Sequence, residues 1–178
     1  AEIITMASTD EAEFVKLIET TYRDVNIALA NEYARFADMH GLNVADAIAA
    51  ANTQPYSHIH SPGVGVGGHC IPVYPYFLLA GAEEPLLTLP RIARRINDAM
   101  AEYAVQRVEN ILGPLALQSV LILGIAYRGN VHEAAFTSAK LLQDALQARG
   151  VVVYAEDPLF SKEELDALGY TPLASEQE

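Results

Sequence analysis

The first half of the chain carries an apolar pattern that is typical of helices. Apolar residues recur at spacings of three, four and seven positions from Phe14 to Phe36, and this period predicts a long amphipathic helix over residues 10–39. A capping residue, Thr9, precedes an acidic first turn, and Gly41 follows the last periodic position. The sequence therefore predicts that one long helix dominates this region.

Two further helices are predicted in the same half. Asn43 is a suitable N-cap for a short helix over residues 44–51, and Pro90 is a suitable first residue for a helix that continues to Leu112. The first turns of this last helix contain three basic residues, where the helix dipole disfavours cations: Arg91, Arg94 and Arg95. We therefore expect an acidic group to face them.

After about residue 115 the pattern changes to that of an α/β structure. Short apolar runs at 120–124 and 151–154 predict two buried strands, with a helix over 137–149 between them and a short helix at about 162–168. A strand, a glycine turn, a helix and a second strand form one right-handed βαβ unit with parallel strands. Two or three strands make a small sheet, so the pattern predicts a truncated Rossmann-like α/β unit.

Composition and charge argue against several classes of function. The 178 residues include 11 Lys and Arg and 23 Asp and Glu, for a formal net charge of −12. Non-specific nucleic-acid binding needs clustered basic residues, which such a balance disfavours. No apolar run reaches the roughly 20 residues of a membrane span, and no secretory signal is visible. We therefore expect a cytoplasmic protein with neither a nucleic-acid partner nor a membrane.

A long loop over residues 52–75 carries the candidate chemistry. The run from Pro62 to Pro72, PGVGVGGHCIP, combines four glycines with the single cysteine of the chain, Cys70. Glycines let main-chain amides approach a ligand, and amide dipoles that converge on a thiol favour its thiolate form. The thiolate is the nucleophile in cysteine enzymes. On the residues alone, a nucleophilic cysteine and a buried, inert one are equally compatible with this loop.

The same loop offers metal-binding side chains as an alternative. It offers three imidazoles and one thiol, which are groups that bind zinc in proteins: His58, His60, His69 and Cys70. The spacing is not that of the usual zinc motifs, and neighbouring residues cannot easily bind one tetrahedral ion together. A metal site is therefore the weaker hypothesis, and we predict no metal ligand.

Three parts of the chain resemble the UDP-glucose/GDP-mannose dehydrogenase family. PGVGVGGHCIP is similar to the family's active-site loop, and most similar to members that oxidise UDP-N-acetylhexosamines. The segments EFVKL at 13–17 and YRDVNIALANE at 22–32 resemble the catalytic-lysine helix, and LGIAYR at 123–128 and EDP at 156–158 resemble the C-terminal nucleotide-binding domain. The resemblances follow the family's order and cover nearly the whole chain.

This resemblance implies an NAD-dependent oxidation of the C6 alcohol of a UDP-sugar to a carboxylate, with two NAD for each sugar. Cys70 would add to the intermediate aldehyde as a thiohemiacetal, and oxidation would give a thioester that water cleaves. Lys16, with Thr20 one helical turn later, would stabilise the developing oxyanion. The product would serve capsule, cell-wall or surface polysaccharide synthesis.

The resemblance also implies a substrate site and a homodimer. The positions that match substrate-binding residues of the family are Arg23, Asn26, Gly65, Gly67, Gly68, His69, Tyr127 and Arg128. The family forms dimers through its central helices. The apolar faces of the predicted helices at 10–39 and 91–112 are compatible with such an interface, although they would suit a monomeric bundle equally well.

Several positions depart from the family pattern. Thr20 stands where the family has an asparagine, and Tyr74 stands where most members have an aspartate thought to help activate water. A phenol is a poor base at neutral pH, so hydrolysis of the thioester is the step most affected. Arg128-Gly129 replaces a Lys-Pro pair, and the conserved polar positions across 132–138 are largely changed. We favour a divergent subfamily over a decayed enzyme.

The glycine turn that follows the first predicted strand, Gly124 to Gly129, lacks the G-x-G-x-x-G spacing. The glycines from Gly63 to Gly68 have that spacing but lie in the long loop, not between a strand and a helix. We therefore expect that the family's N-terminal NAD-binding domain is not represented. We predict a mainly helical dimerisation and catalytic domain at 1–115 and a partial UDP-binding α/β domain at 116–178. We predict no cofactor-binding residues, and we expect no turnover by the isolated chain. The alternatives are an inactive dimerisation module of the same family and a protein with a His/Cys metal-binding loop.

Overall fold

The computed structural model describes residues 3–83 and 85–173. Its elements, in chain order, are α1 (Thr9–His40), α2 (Val44–Ala51), α3 (Tyr74–Ala80), α4 (Thr88–Asp98), α5 (Met100–Leu112), β1 (Ser119–Leu123), α6 (Ser138–Gln147), β2 (Val152–Glu156) and α7 (Lys162–Ala167). A helical first part followed by a small parallel sheet with its crossover helix confirms the predicted fold class. Within the described residues, no helix has the length and apolar character needed to cross a membrane.

The ends of α1 are fixed by local hydrogen bonds. The Ser8 hydroxyl oxygen accepts a hydrogen bond of 3.1 Å from the Glu11 amide, so Ser8 is the N-cap and the predicted cap, Thr9, is already helical. At the other end Gly41 has φ of 65°, a left-handed conformation that glycine adopts without steric cost, and its amide donates to the Ala37 carbonyl. The predicted extent of this helix is therefore confirmed to within one residue at each end.

The helices that follow differ from prediction at two places. The predicted helix from Pro90 to Leu112 is divided at Ala99 into α4 and α5. The helix α3 was not predicted: its first two residues were assigned to the long loop at 52–75, and residues 76–80 were assigned to no element. Pro75 lies in the first turn of α3, where proline is common, and this sequence signal could have predicted the start of the helix.

The chain forms two compact units. The first contains the chain up to Gly63 together with Cys70–Asn97, and the second contains Val64–His69 together with the chain from Asp98 onward. The helix α5 thus belongs to the second unit, whereas the predicted boundary lies after it. The division into domains at 1–115 and 116–178 stays a prediction.

The first unit contains a buried polar network between α1 and α4. Arg94 Nη1 donates a hydrogen bond of 2.6 Å to Asp24 Oδ1, and Asn97 Nδ2 donates to the same oxygen at 2.8 Å. Asn31 Nδ2 donates to Asn97 Oδ1 at 2.9 Å, and Asn31 Oδ1 accepts from the Gly63 amide at 2.9 Å. The network supplies the expected acidic group for one of the three arginines, Arg94, and it fixes the chain where the glycine-rich run begins.

The second unit is built on the two parallel strands. They pair in register from Ser119 with Val152 to Leu123 with Glu156. The apolar core on which they lie combines residues of the two strands, of α5, α6 and α7, and of the segments between them. Its buried members are Val105, Leu115, Ile122, Ile125, Ala139, Leu146, Val151, Val153, Ala155, Leu165 and Tyr170. Pro172 forms a parallel bridge to Ala155, so the chain there lies beside β2 as a third strand would.

Candidate active site

In the first unit, Cys70 lies in the turn that precedes α3. The thiol residue is partly exposed, and its carbonyl accepts hydrogen bonds from the amides of Tyr74 at 2.9 Å and Val73 at 3.2 Å. These bonds close the turn that leads into α3. The chain therefore holds the backbone of Cys70 in a defined position, and the residue stays partly exposed.

The ammonium group of Lys16 lies close to this turn. Lys16 Nζ is 3.0 Å from Glu19 Oε2 and 5.9 Å from the centroid of the Tyr74 ring. The hydrogen bond to Glu19 is the main cause that raises the pKa of Lys16 above its ordinary value. Burial acts against it, and the negative charge of Glu19 adds to it. Lys16 is therefore a cation at neutral pH, and it can stabilise negative charge on a nearby oxygen.

Thr20, the second predicted oxyanion donor, is fully buried within α1. Its hydroxyl donates a hydrogen bond of 2.7 Å to the Lys16 carbonyl and also lies 3.1 Å from the Leu17 carbonyl. This back-bonding to the preceding turn is common for threonine within helices. A hydroxyl proton directed at the helix is not directed at a substrate, so a catalytic role for Thr20 requires it to rotate.

Arg23 and Asn26 lie further along α1. Asn26 Nδ2 donates to the His58 carbonyl at 2.7 Å, and Asn26 Oδ1 accepts from the His60 amide at 2.9 Å. Burial of the His60 ring lowers the pKa of that imidazole, and the positive charge of Arg23 lowers it further. In this structure Asn26 anchors the segment before the glycine-rich run, and Arg23 is exposed.

In the second unit, the glycines of the loop Val64–His69 allow close contact with other parts of the protein. A Cβ atom at Gly67 would lie 2.8 Å from the Cβ of Tyr127, and one at Gly68 would lie 3.1 Å from the Tyr127 ring. A Cβ at Gly65 would lie 2.8 Å from the Ser138 hydroxyl oxygen. The structure thus gives these glycines a packing role, and the predicted approach of a ligand to their amides stays a prediction.

His69 and Arg128 complete the predicted residues of the second unit. His69 is exposed, and its Nε2 lies 3.2 Å from Glu133 Oε2. Arg128 is exposed too, with its guanidinium carbon 5.8 Å from the centroid of the Tyr127 ring. The predicted residues are therefore divided between the two units: the first contains Lys16, Thr20, Arg23, Asn26 and Cys70, and the second contains Gly65, Gly67, Gly68, His69, Tyr127 and Arg128.

Sequence reasoning missed two acidic residues that contact this set. Glu19 follows Lys16 by three positions on a helix, and that spacing alone could have identified it. Glu133 lies 64 residues from His69, in a segment that departs from the family pattern, so no sequence signal linked the two.

The turn after β1 does not fit a dinucleotide cofactor. Asp157 Oδ2 accepts hydrogen bonds from the amides of Ile125 at 2.8 Å and Ala126 at 3.2 Å. A dinucleotide diphosphate would need such turn amides as donors, and the carboxylate both occupies them and repels a second anion. We therefore assign no NAD contact to this turn.

The metal-binding alternative gains no support from the structure. Among residues 3–83 and 85–173, no group of three or more His, Cys, Asp or Glu side chains could hold a metal ion. His69 faces Glu133 instead, and the backbone at His58 and His60 is held by Asn26.

Comparison with known proteins identifies the family. Residues 10–99 match the model of the UDP-glucose/GDP-mannose dehydrogenase family, central domain. The chain belongs to this family. The suspected resemblance is thereby confirmed, and the matched region ends near Asp98, where the longer segment of the second unit begins.

Individual relatives of this dehydrogenase family agree. A UDP-N-acetyl-D-mannosamine dehydrogenase of Pyrococcus horikoshii is 46% identical over 134 residues, which are 73% of this chain and 32% of that protein. The solved structure of a UDP-D-ManNAc dehydrogenase from the same organism has a TM-score of 0.76 at 43% identity, over 84% of this chain and 36% of that one. A UDP-glucose dehydrogenase of Pyrobaculum islandicum has a TM-score of 0.81 at 27% identity, over 93% and 40%. The chain thus spans about a third of the length of the first relative.

Proposed function

We propose that the chain supplies the catalytic thiol and part of the substrate-binding surface of an NAD-dependent UDP-sugar 6-dehydrogenase. One observation carries the proposal: the single cysteine, Cys70, is partly exposed in the turn that leads into α3, and the ring of Tyr74 at the start of α3 lies 5.9 Å from Lys16 Nζ. A nucleophile beside a fixed cation is what covalent oxidation of an aldehyde needs.

In the proposed mechanism, the Cys70 sulfur adds to the C6 aldehyde. A sulfur–carbon bond forms and the carbonyl electron pair moves to oxygen, so the product is a thiohemiacetal whose carbon keeps its hydrogen. Loss of that hydrogen as hydride leaves a thioester, and water then releases the carboxylate and restores the thiol. NAD is the proposed hydride acceptor, and no residue of this chain is assigned to it.

The role proposed for Lys16 is to stabilise the negative oxygen of the thiohemiacetal. Its ammonium group is held by Glu19 on one side and lies over the ring of Tyr74 on the other. A cation fixed before the reaction stabilises developing charge without having to reorganise. Thr20 contributes to the same oxygen only if its hydroxyl turns away from the Lys16 carbonyl.

The proposed substrate is a UDP-N-acetylhexosamine. Identity is 43% to the solved UDP-D-ManNAc dehydrogenase and 27% to the solved UDP-glucose dehydrogenase. The planar guanidinium of Arg128, exposed on the loop after β1, is suited to pair with a diphosphate. We place the parent enzyme in the cytoplasm and its product in the synthesis of surface polysaccharide.

The proposed assembly is a homodimer through α1. Large apolar side chains remain exposed along this helix at the spacings of one face: Val15, Ile18, Tyr22, Leu29, Tyr33 and Phe36. An apolar stripe of this length on a surface helix is typical of a protein interface. A second copy of the chain presents the same stripe, so a two-fold axis would bury both at once.

Kinetics of the full-length protein, with its flanking coding sequence, test the proposed activity. We expect NAD reduction with UDP-N-acetyl-D-mannosamine and much less with UDP-glucose. Cys70→Ala should lower kcat at least about a thousand-fold, because it removes the nucleophile, and Lys16→Met should lower it about a hundred-fold or more. Unchanged oxidation in the Cys70 variant would refute the mechanism.

The reactivity of the Cys70 thiol distinguishes an active enzyme from the alternative, an inactive dimerisation module. Alkylation of Cys70 with iodoacetamide in the 178-residue chain can be compared with that of a short unstructured peptide. An activated thiol reacts several-fold faster at neutral pH, because the thiolate is the reacting species. A rate equal to that of the peptide would favour the module.

A further inference from the structure

The carboxylate of Glu133 ties the glycine loop Val64–His69 to the segment that follows β1. Its Oε2 lies 3.2 Å from His69 Nε2, and its Oε1 accepts a hydrogen bond of 3.0 Å from the Ala135 amide. The Ala135 carbonyl in turn accepts a bond of 3.0 Å from the Gly68 amide. Two consecutive residues of the loop are thus held, one by the side chain of Glu133 and one by a backbone group that this side chain fixes.

The backbone of Glu133 takes part in the same arrangement. Its carbonyl accepts a hydrogen bond of 3.1 Å from the amide of Tyr127, and the ring of Tyr127 lies against Gly67 and Gly68. The two glycines lie so close to Tyr127 that a Cβ atom on either would be 2.8–3.1 Å from it, nearer than two non-bonded carbon atoms normally approach. The loop therefore cannot move towards Tyr127. Glu133 therefore forms hydrogen bonds with both segments against which the loop packs, one at Tyr127 and one at Ala135.

The charge state of Glu133 suits this role. The hydrogen bond from His69 is the first cause that lowers the pKa of the Glu133 carboxyl below its ordinary value, and the Ala135 amide is the second, so the group is ionised at neutral pH. An ionised carboxylate only accepts hydrogen bonds, which requires a proton on His69 Nε2. The contact thus uses Nε2 of His69 as the donor.

We propose that Glu133 is a positioning residue for Cys70 and acts through His69. The peptide bond from His69 to Cys70 transmits the restraint, because fixing the His69 side chain limits the backbone rotations available just before the cysteine. The inference rests on the proposed role of Cys70 as nucleophile, and it adds a residue that neither the sequence pattern nor the family resemblance indicated.

The test compares two glutamate-to-glutamine variants of the 178-residue chain. Glu133→Gln removes the charge opposite His69 but keeps an oxygen for the Ala135 amide. Glu164→Gln is the matched control, because Glu164 Oε1 lies 3.3 Å from the Nε2 of another exposed histidine, His132. We expect Glu133→Gln to change the rate of Cys70 alkylation by iodoacetamide about threefold or more and Glu164→Gln to leave it unchanged. Equal rates for wild type and Glu133→Gln, or equal changes in both variants, would overturn the proposal.

A double-mutant cycle with His69→Phe separates positioning from a general structural role. If Glu133 acts through His69, adding Glu133→Gln to His69→Phe has no further effect on alkylation. A full effect in the double variant would show that Glu133 acts by another route and would refute the proposal. The imidazole nitrogen shifts of His69 in NMR spectra give a second readout, and we expect the Nε2–H tautomer to lose population in Glu133→Gln. The proposal is tested by alkylation rates of variants relative to wild type, whereas the proposed function is tested by the rate of the wild-type chain relative to a free peptide. Failure of one test can therefore be distinguished from failure of the other.

Discussion

Arg94 is the ion-pair partner of Asp24, although 70 residues separate the two along the chain. The side chains are 5% and 0% exposed, so the pair lies in the interior of the first unit, where each charge depends on the other. Removal of one member of a buried pair costs more than the pair contributes, because the remaining charge loses its compensation.

Asp24→Ala should therefore destabilise the first unit by about 3–5 kcal/mol. The measurement is urea unfolding of the 178-residue chain followed by circular dichroism. Glu32→Ala on the same helix is the control, since Glu32 is exposed and its loss should change the free energy of unfolding by less than about 0.5 kcal/mol. A loss below about 1 kcal/mol in Asp24→Ala would contradict the buried-pair assignment.

The pair of Asp24 and Arg94 shows which contacts the sequence could and could not predict. Three arginines in the first turns of one helix indicated that an acidic partner was needed, and this expectation was correct for Arg94. The sequence could not identify Asp24 as the partner, because α1 has acidic residues on several faces and only packing decides which face is buried. Local signals such as the Asn43 cap and Gly41 depend on neighbouring residues alone, and these were predicted well.

The candidate site shows the same limit. The motif around Cys70 and its spacing from the lysine helix were visible in the sequence because each is a local run of residues. The packing of Gly67 and Gly68 against Tyr127 was not, because it joins segments that are about 60 residues apart. The glycines were interpreted as space for a ligand, whereas the structure fills part of that space with a tyrosine ring.

Asp157 gives the stability of the second unit a predictable pH dependence. Burial acts to raise the pKa of Asp157, but three backbone amides outweigh it and hold the pKa below the ordinary value of 3.8. A carboxyl with a lowered folded-state pKa stabilises the protein above that ordinary value, and the contribution is lost as pH falls through the folded-state pKa. Asp157→Asn should therefore cost about 1.5–3 kcal/mol at pH 7.

The difference in unfolding free energy between wild type and Asp157→Asn should shrink as pH falls below 3.8. Urea unfolding at a series of pH values measures it. Glu156→Gln serves as the control, since this neighbouring side chain is exposed and its replacement should leave stability unchanged. A difference that stays constant down to low pH would show that Asp157 acts through shape rather than charge.

Gly67→Ala tests the close contact with Tyr127. The new Cβ would lie 2.8 Å from the Tyr127 Cβ and 3.1 Å from the Phe136 carbonyl oxygen, so the backbone has to shift. We expect a loss of about 1–3 kcal/mol in unfolding free energy, the usual cost of overpacking. Gly129→Ala is the matched control, because no atom lies within 4 Å of its added Cβ. Equal stability of the two variants would show that the loop can move away from Tyr127.

The exposed stripe on α1 predicts the oligomeric state. If two copies of the chain bury this stripe, sedimentation should give twice the chain mass of 19.3 kDa. Phe36→Asp places a charge on the stripe, at a side chain that is 59% exposed in the single chain. It should weaken the dimer about a hundred-fold or more, because a buried unpaired charge is costly.

Leu117→Asp is the control for Phe36→Asp. Leu117 is 93% exposed and lies outside α1, so the same charge there should leave the sedimenting mass unchanged. A wild-type chain that sediments as a monomer at high concentration would refute the α1 interface, and a dimer that resists Phe36→Asp would place the interface on another face.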